Sequence, residues 1–220
     1  MKNIIYIHVC CVNNWQEVLY KLFHNIQLSG LYHHVDEIRC VVLARDDCLW
    51  NECAVFNDTK VNVIFLSNDI SLHEFKIMEL IYEHSLEEDF NMLYLHTKGI
   101  RHYGQIYEQN VKDWVDYMIY YNIIKWMTCL EELKDCDVVG VNLQKDPWHF
   151  SGNFWWSKSS HIKTLGVISD RSYNGPEFYI TSKSGTYVSL FNSNVNHYHE
   201  GYPYELYHNK VKRMIICKSD

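Results

Sequence analysis

Short β-branched runs alternate along the chain with longer stretches in which apolar residues recur every three or four positions. The runs Ile4 to Val9, Glu37 to Leu43, Val61 to Leu66, Met92 to Leu95 and Val138 to Asn142 read as strands. Between them, Trp15 to Gln27 places Val18, Leu19, Leu22, Phe23 and Ile26 on one face of a helix, and Leu72 to His84 and Tyr107 to Leu133 read as further helices. Strand and helix in this alternation predict an α/β fold, with a mostly parallel or mixed central sheet flanked by helices on both faces. From Asp146 onward the pattern changes, and Asn, Ser, His, Gly and aromatic residues mix, as in DPWHFSGNFWWSKSSHIKTL and NSNVNHYHEGYPYELYH. Such a mixture suits strands and loops that wall a cleft. With 3 prolines and no low-complexity stretch or repeat, no interdomain linker is evident, so residues 1–220 read as a single domain.

Composition narrows the function. A chain of 220 residues that is 47% hydrophobic can bury a sizeable core. The formal charge of -7, from 27 acidic and 20 basic residues, argues against a surface that tracks nucleic-acid phosphates, though not against one local cationic pocket. The 8 cysteines include the adjacent Cys10 and Cys11 and no Cys-x-x-Cys, which fits reduced thiols in a cytoplasmic compartment better than a disulfide framework. No apolar run reaches membrane-spanning length, and Met1-Lys2-Asn3 leads directly into the first strand, so a soluble protein is expected. Whether the chain is a whole protein or the first module of a longer one is left open.

The fourth strand ends abruptly in His96-Thr97-Lys98-Gly99. In open α/β sheets ligands bind outside the carboxyl ends of the strands, which makes this polar turn a candidate ligand contact. No glycine-rich phosphate loop is present, which excludes Walker-type NTPases and Rossmann dehydrogenases. Asp135-Cys136-Asp137 precedes its strand, at the opposite edge of the sheet, and reads as a solvated turn. Asp46, Asp47 and Asp69 lie after strands, on the expected ligand edge, where turn and helix-cap roles compete with ligand contact.

LYLHTKG, a following helix with DWVDYM, then DVVGVN, HFSGNFWWSKSSHIKTL and PEFYI, together resemble a group of small nucleotide-sugar glycosyltransferases of bacteria and large DNA viruses. The order and spacing match over roughly residues 4 to 200. The resemblance implies a GT-A-type fold, with about residues 1–143 binding the nucleotide-sugar and about 144–220 binding the acceptor. It implies transfer of a sugar from a nucleotide-diphosphate donor, a UDP- or GDP-sugar, to a glycan acceptor, with inversion assisted by a carboxylate base. A degenerate carbohydrate- or nucleotide-binding module that has lost turnover is the alternative, and a metal-dependent phosphoester hydrolase lacks the dense ligand cluster it would need.

Glycosyl transfer builds positive charge at the anomeric carbon and negative charge on the leaving diphosphate, so the diphosphate must be neutralised and the acceptor hydroxyl deprotonated. Most GT-A enzymes hold a divalent metal with Asp-x-Asp where this chain has His96-Thr97-Lys98, which puts a Mn²⁺ or Mg²⁺ cofactor in question. In one reading Lys98 supplies the cation, Thr97 donates a hydrogen bond and Gly99 admits the ligand to the backbone. In another His96 is a metal ligand, joined by His197 or His199 from an extended segment. Glu177 is the candidate base, at a place where the resembling enzymes carry an acidic residue, and Asp146 is the second candidate. Val9, Cys10, Val12 and Asn14, at the end of the first strand, are expected to meet the nucleotide's base and ribose. His149, Gly152, Asn153, Trp155 and Trp156 are expected to form the sugar and acceptor floor, with at most one of the two tryptophans reaching the ligand because neighbours on a strand face opposite ways.

Overall fold

The computed structural model describes residues 1–219. Four strands, β1 (Lys2–Cys10), β2 (Glu37–Leu43), β3 (Val61–Ser67) and β4 (Phe90–His96), pair in parallel in the order β3-β2-β1-β4. The runs of β1, β2 and β4 have side chains buried on both faces, which only a sheet covered twice can satisfy, whereas β3 at the edge is half-buried. Ile5, Ile7 and Val9 of β1 enter one core, while Ile4 and Tyr6 enter the other. The first core is covered by α1 (Trp15–Leu28) and α3 (Glu108–Ile119), the second by α2 (Phe75–Glu87) and α5 (Ser159–Leu165). Each fully buried Ile, Val or Leu contributes about 1.5–3 kcal/mol, so the sheet positions and the helix faces that cover them both stabilise the fold.

The last third joins the same sheet. β8 (Trp155–Lys158) runs antiparallel between β4 and β5 (Val138–Gly140), and β9 (Gly185–Ser189) and β10 (Met214–Lys218) extend the edge beyond β5, giving eight strands. The fold is therefore a mixed α/β sheet flanked by helices. A two-stranded ribbon, β6 (Leu143–Gln144) with β7 (His149–Phe150), stands apart from it. Among the described residues no helix is long and apolar enough to cross a membrane.

Two helices depart from the periodicity. The stretch expected as one helix from Tyr107 to Leu133 is α3, a π-helical turn at Tyr120–Ile124, and α4 (Trp126–Glu132). The break is held by side chains: the Trp156 indole N–H donates to the Asn122 carbonyl at 2.8 Å, and the Asn122 amide donates to the Met118 carbonyl at 3.0 Å. α2 begins at Phe75 instead of Leu72, because His73 turns the chain at φ 46°, ψ -142°. A non-glycine residue there costs on the order of 1–3 kcal/mol and is often found beside functional sites. The turn leaves Glu74 at the head of α2.

Candidate active site

The carboxyl ends of β1 and β4 open into a cleft of about 150 Å³. β1 and β4 are in register, so His8 stands beside His96, and the next residue of β4's extension, Thr97, accepts a hydrogen bond from the Cys10 N–H at 3.1 Å. Thr97 is buried, and its oxygen ties the two strand ends together. Asn13 adds a second tie, its amide donating to the Ile100 carbonyl at 2.7 Å. Gly99 follows at φ 94°, the left-handed region that glycine enters without penalty, and a Cβ there would meet Val111 Cγ1 at 3.0 Å. The polar turn is thus a fixed part of the cleft wall.

Lys98 lines the cleft with its ammonium 4.3 Å from the centre of the Trp114 ring. The Trp114 ring is in turn stacked on His197, 5.1 Å away and 5° from parallel. A cation held over an indole face is fixed in position, at a gain of about 0.5–2 kcal/mol. Arg101 supplies a second cation; it donates to His73 Nδ1 at 3.2 Å and lies 4.8 Å from the Tyr173 ring centre.

Glu177 also lines the cleft, from α6 (Gly175–Tyr179), where Pro176 suits the first helical turn. Its Oε1 accepts from the Gly152 N–H at 2.8 Å, and His96 Nε2 donates to the Gly152 carbonyl at 3.0 Å. One residue, Gly152, therefore couples the candidate base to the end of β4 through its two flanking peptide groups. Gly152 has φ 94°, and a Cβ on it would lie 2.3 Å from Met118 Sδ and 3.1 Å from Trp114. Gly152→Ala is expected to lower stability by about 2–4 kcal/mol through left-handed strain and overpacking, read as a fall in the urea midpoint. An unchanged midpoint would mean that the loop relaxes freely.

A carboxylate that the motifs did not reveal, Glu74, faces the same cleft with 23% of its side chain exposed. Its Oε2 accepts from the Tyr94 hydroxyl at 2.6 Å and from the Asn153 amide at 2.9 Å, while Oε1 lies 3.7 Å from His96 Nδ1. Burial opposes its ionisation, yet His96, His8, the Tyr94 hydroxyl and Lys98 outweigh that effect and hold the carboxyl down to about 2. Burial pushes His8 down to about 4 and also lowers His96, with Glu74 partly offsetting both shifts. Near neutral pH the cleft floor consequently holds a carboxylate beside two neutral imidazoles. The only local signal for Glu74 is its place after β3, on the ligand edge of the sheet.

The remaining expected site residues divide clearly. Cys10, His96, Thr97, Lys98, Gly99, Asn153 and Glu177 line the cleft together, joined by His8, Glu74, Arg101, Tyr173 and Tyr198. Asn14 lines a smaller neighbouring cavity that Lys98 and Gly99 share. Val9 is buried in the core and Val12 packs at its margin. Trp155 and Trp156 are both fully buried, because β8 is an interior strand and each of its faces meets a core. Neither tryptophan reaches the cleft. Asp146 does not join Glu177 either, since it sits exposed at φ 57° in the turn of the β6–β7 ribbon. His149 faces Phe178 on that ribbon, its Nδ1 donating to the Pro147 carbonyl at 2.7 Å. Asp137, from the Asp-Cys-Asp run, accepts from the Thr186 N–H at 2.8 Å at the far edge of the sheet.

The residues considered for a metal do not assemble into a ligand set. The segment holding His197 and His199 is a turn and not an extended strand, so His197 points inward, Tyr198 lines the cleft and His199 is exposed. His197 Nε2 is engaged with Ser193 Oγ at 2.8 Å and the Asn142 amide at 3.1 Å. His96 Nε2 is engaged with Gly152, and its Nδ1 lies 3.7 Å from Glu74 Oε1. Among the described residues no group of three or more His, Cys, Asp or Glu side chains is placed to hold a metal ion.

Residues 43–175 match the family described as a domain of unknown function, DUF8361, and the chain belongs to that family. No curated protein matches the sequence. Among solved structures, the chain is similar to a Desulfovibrio desulfuricans G20 protein provisionally called a nucleotide-diphospho-sugar transferase. The TM-score is 0.42 at 9% identity, over 83% of this chain and 75% of that one.

Proposed function

For this member of the DUF8361 family we propose a glycosyltransferase that moves a sugar from a nucleotide-diphosphate donor to a glycan acceptor. The observation that carries the reading is a single cleft, at the carboxyl edge of the parallel strands, lined both by the cations Lys98 and Arg101 and by the carboxylates Glu74 and Glu177. Lys98 and Arg101 neutralise the diphosphate as negative charge grows on it, and the fixed position of Lys98 over Trp114 avoids reorganisation during the reaction. Glu177 takes the proton of the attacking acceptor hydroxyl. The Gly152 N–H fixes one of its oxygens and leaves the other to accept that proton. Inversion follows if the acceptor attacks from the face opposite the diphosphate. The nucleoside lies toward the end of β1, near Cys10 and Asn14.

Calorimetry with UDP and GDP, in EDTA and in Mn²⁺, tests the donor site. Binding of either nucleotide supports the reading, and failure of both under both conditions overturns it. Lys98→Ala is expected to weaken diphosphate binding by about tenfold or more, the scale of a hydrogen bond to a charged group. An affinity within about twofold of the parent would remove Lys98 from the donor site. Slow release of free sugar from a nucleotide-sugar separates an enzyme from a binding module.

A further inference from the structure

We infer that the floor of the cleft, built from Glu74, His96 and His8, is a sugar-hydroxyl subsite that selects a neutral hexose over a hexuronate. This inference rests on the nucleotide-sugar reading and specifies the donor's chemical class. The two ends of the cleft differ in charge. Lys98 and Arg101 stand at the exposed end, whereas His96 and His8 are buried at 8% and 4% exposure, with the Glu74 carboxylate beside them. A ligand that satisfies both ends is anionic at one and uncharged, with hydroxyl donors, at the other.

The hydrogen bonding at the floor is incomplete in a specific way. Glu74 Oε2 already accepts from Tyr94 and Asn153. Oε1 faces only His96 Nδ1, at 3.7 Å, beyond hydrogen-bond range. Because His96 Nε2 carries the proton donated to the Gly152 carbonyl, Nδ1 of the neutral ring is a lone pair. Two acceptors thus face each other across a gap that lacks a donor. His8, in register beside His96, has a buried Nδ1 with no hydrogen-bond partner. Buried polar groups left this way are satisfied by a ligand or by water. A hexose hydroxyl donates to Glu74 Oε1 or His96 Nδ1, and a second hydroxyl reaches the Asn153 and His8 side of the floor. A hexuronate would bring its carboxylate toward Glu74 with no cation to separate them, since Lys98 and Arg101 are engaged by the diphosphate.

The test is equilibrium binding to the whole protein of UDP, UDP-glucose and UDP-glucuronate, and of GDP, GDP-mannose and GDP-mannuronate. The wild-type protein is expected to prefer the hexose over the hexuronate by tenfold or more in the series it binds. Glu74→Gln keeps the side chain's shape and removes the charge, so it is expected to shrink that preference to about threefold or less while leaving binding of the sugar-free diphosphate within about twofold. Hexuronates bound as tightly as hexoses by the wild type, or a preference unchanged in Glu74→Gln, would overturn the subsite with the donor reading intact. Absence of UDP and GDP binding in the wild type would overturn both. The wild-type comparison decides the matter even if the variant does not fold.

Discussion

Glu177→Gln is expected to lower sugar transfer by about 10²- to 10⁴-fold, the usual contribution of a positioned general base. Nucleotide binding should stay within about twofold, because the diphosphate is proposed to be held by the cations Lys98 and Arg101 and not by this carboxylate. The substitution suits the site: glutamine's carbonyl can still accept from the Gly152 N–H, so the loop at residues 151–153 and its link to His96 are retained. What disappears is only the capacity to take a proton. Single-turnover transfer, measured with the nucleotide-sugar in excess over its dissociation constant, reads the chemical step without the binding step. Transfer at the parental rate would move the base elsewhere, and Glu74 would be the group to substitute next.

Lowering the pH from 7 to 5 is expected to destabilise the protein by several kcal/mol. His8 and His197 are each 4% exposed, and each has a pKa lowered from 6.5 to about 4. Burial is the main cause in both. For His8, Glu74 opposes the shift while His96 and His73 add to it; for His197, Asp113 opposes it and Lys98 adds to it. Between about pH 4 and 6.5 the unfolded chain binds protons at these sites that the folded protein refuses, so stability falls as pH falls. At pH 5 each histidine contributes a loss of roughly 2 kcal/mol, about 1.4 kcal/mol per pH unit below 6.5. The depressed carboxyl of Glu74 acts lower down: its stabilisation is present above about pH 4.5 and is lost as pH falls toward 2. Urea denaturation at pH 7, 6 and 5 measures the slope, and His8→Asn should reduce it, with the other buried histidines supplying the remainder. A stability independent of pH over this interval would mean that both imidazoles can protonate in place, with water reaching His8 Nδ1 and His197 Nδ1.

Much of the architecture was readable from local pattern. The first four strands run close to the β-branched segments that predict them, because parallel strands covered on both faces must be apolar nearly throughout. The polar turn after β4 was readable for the same reason, since an interior strand ends in polar residues only where it leaves the core. The π-helical break at Tyr120–Ile124 was not readable. The apolar period carries on through it, and the groups that stabilise it, such as the Trp156 indole, come from strand β8.

The site shows the same division. Lys98 and Gly99 belong to a short polar turn that differs from the strand before it, Asn153 and Glu177 were marked through the motifs that carry the family resemblance, and all four line the cleft. His8 and Glu74 carry no such signal: one is a single polar residue within an apolar strand, and the other is an acidic residue at a helix start like many surface ones. Only the register of β1 with β4 and the left-handed turn at His73 bring them to the cleft floor. The two tryptophans show the converse. Strand alternation placed Trp155 and Trp156 on opposite faces, but insertion of β8 between β4 and β5 made both faces interior. Periodicity records which way a side chain points. Whether core, cleft or water lies in that direction depends on which strands become neighbours, and that is settled by contacts between residues far apart in the chain.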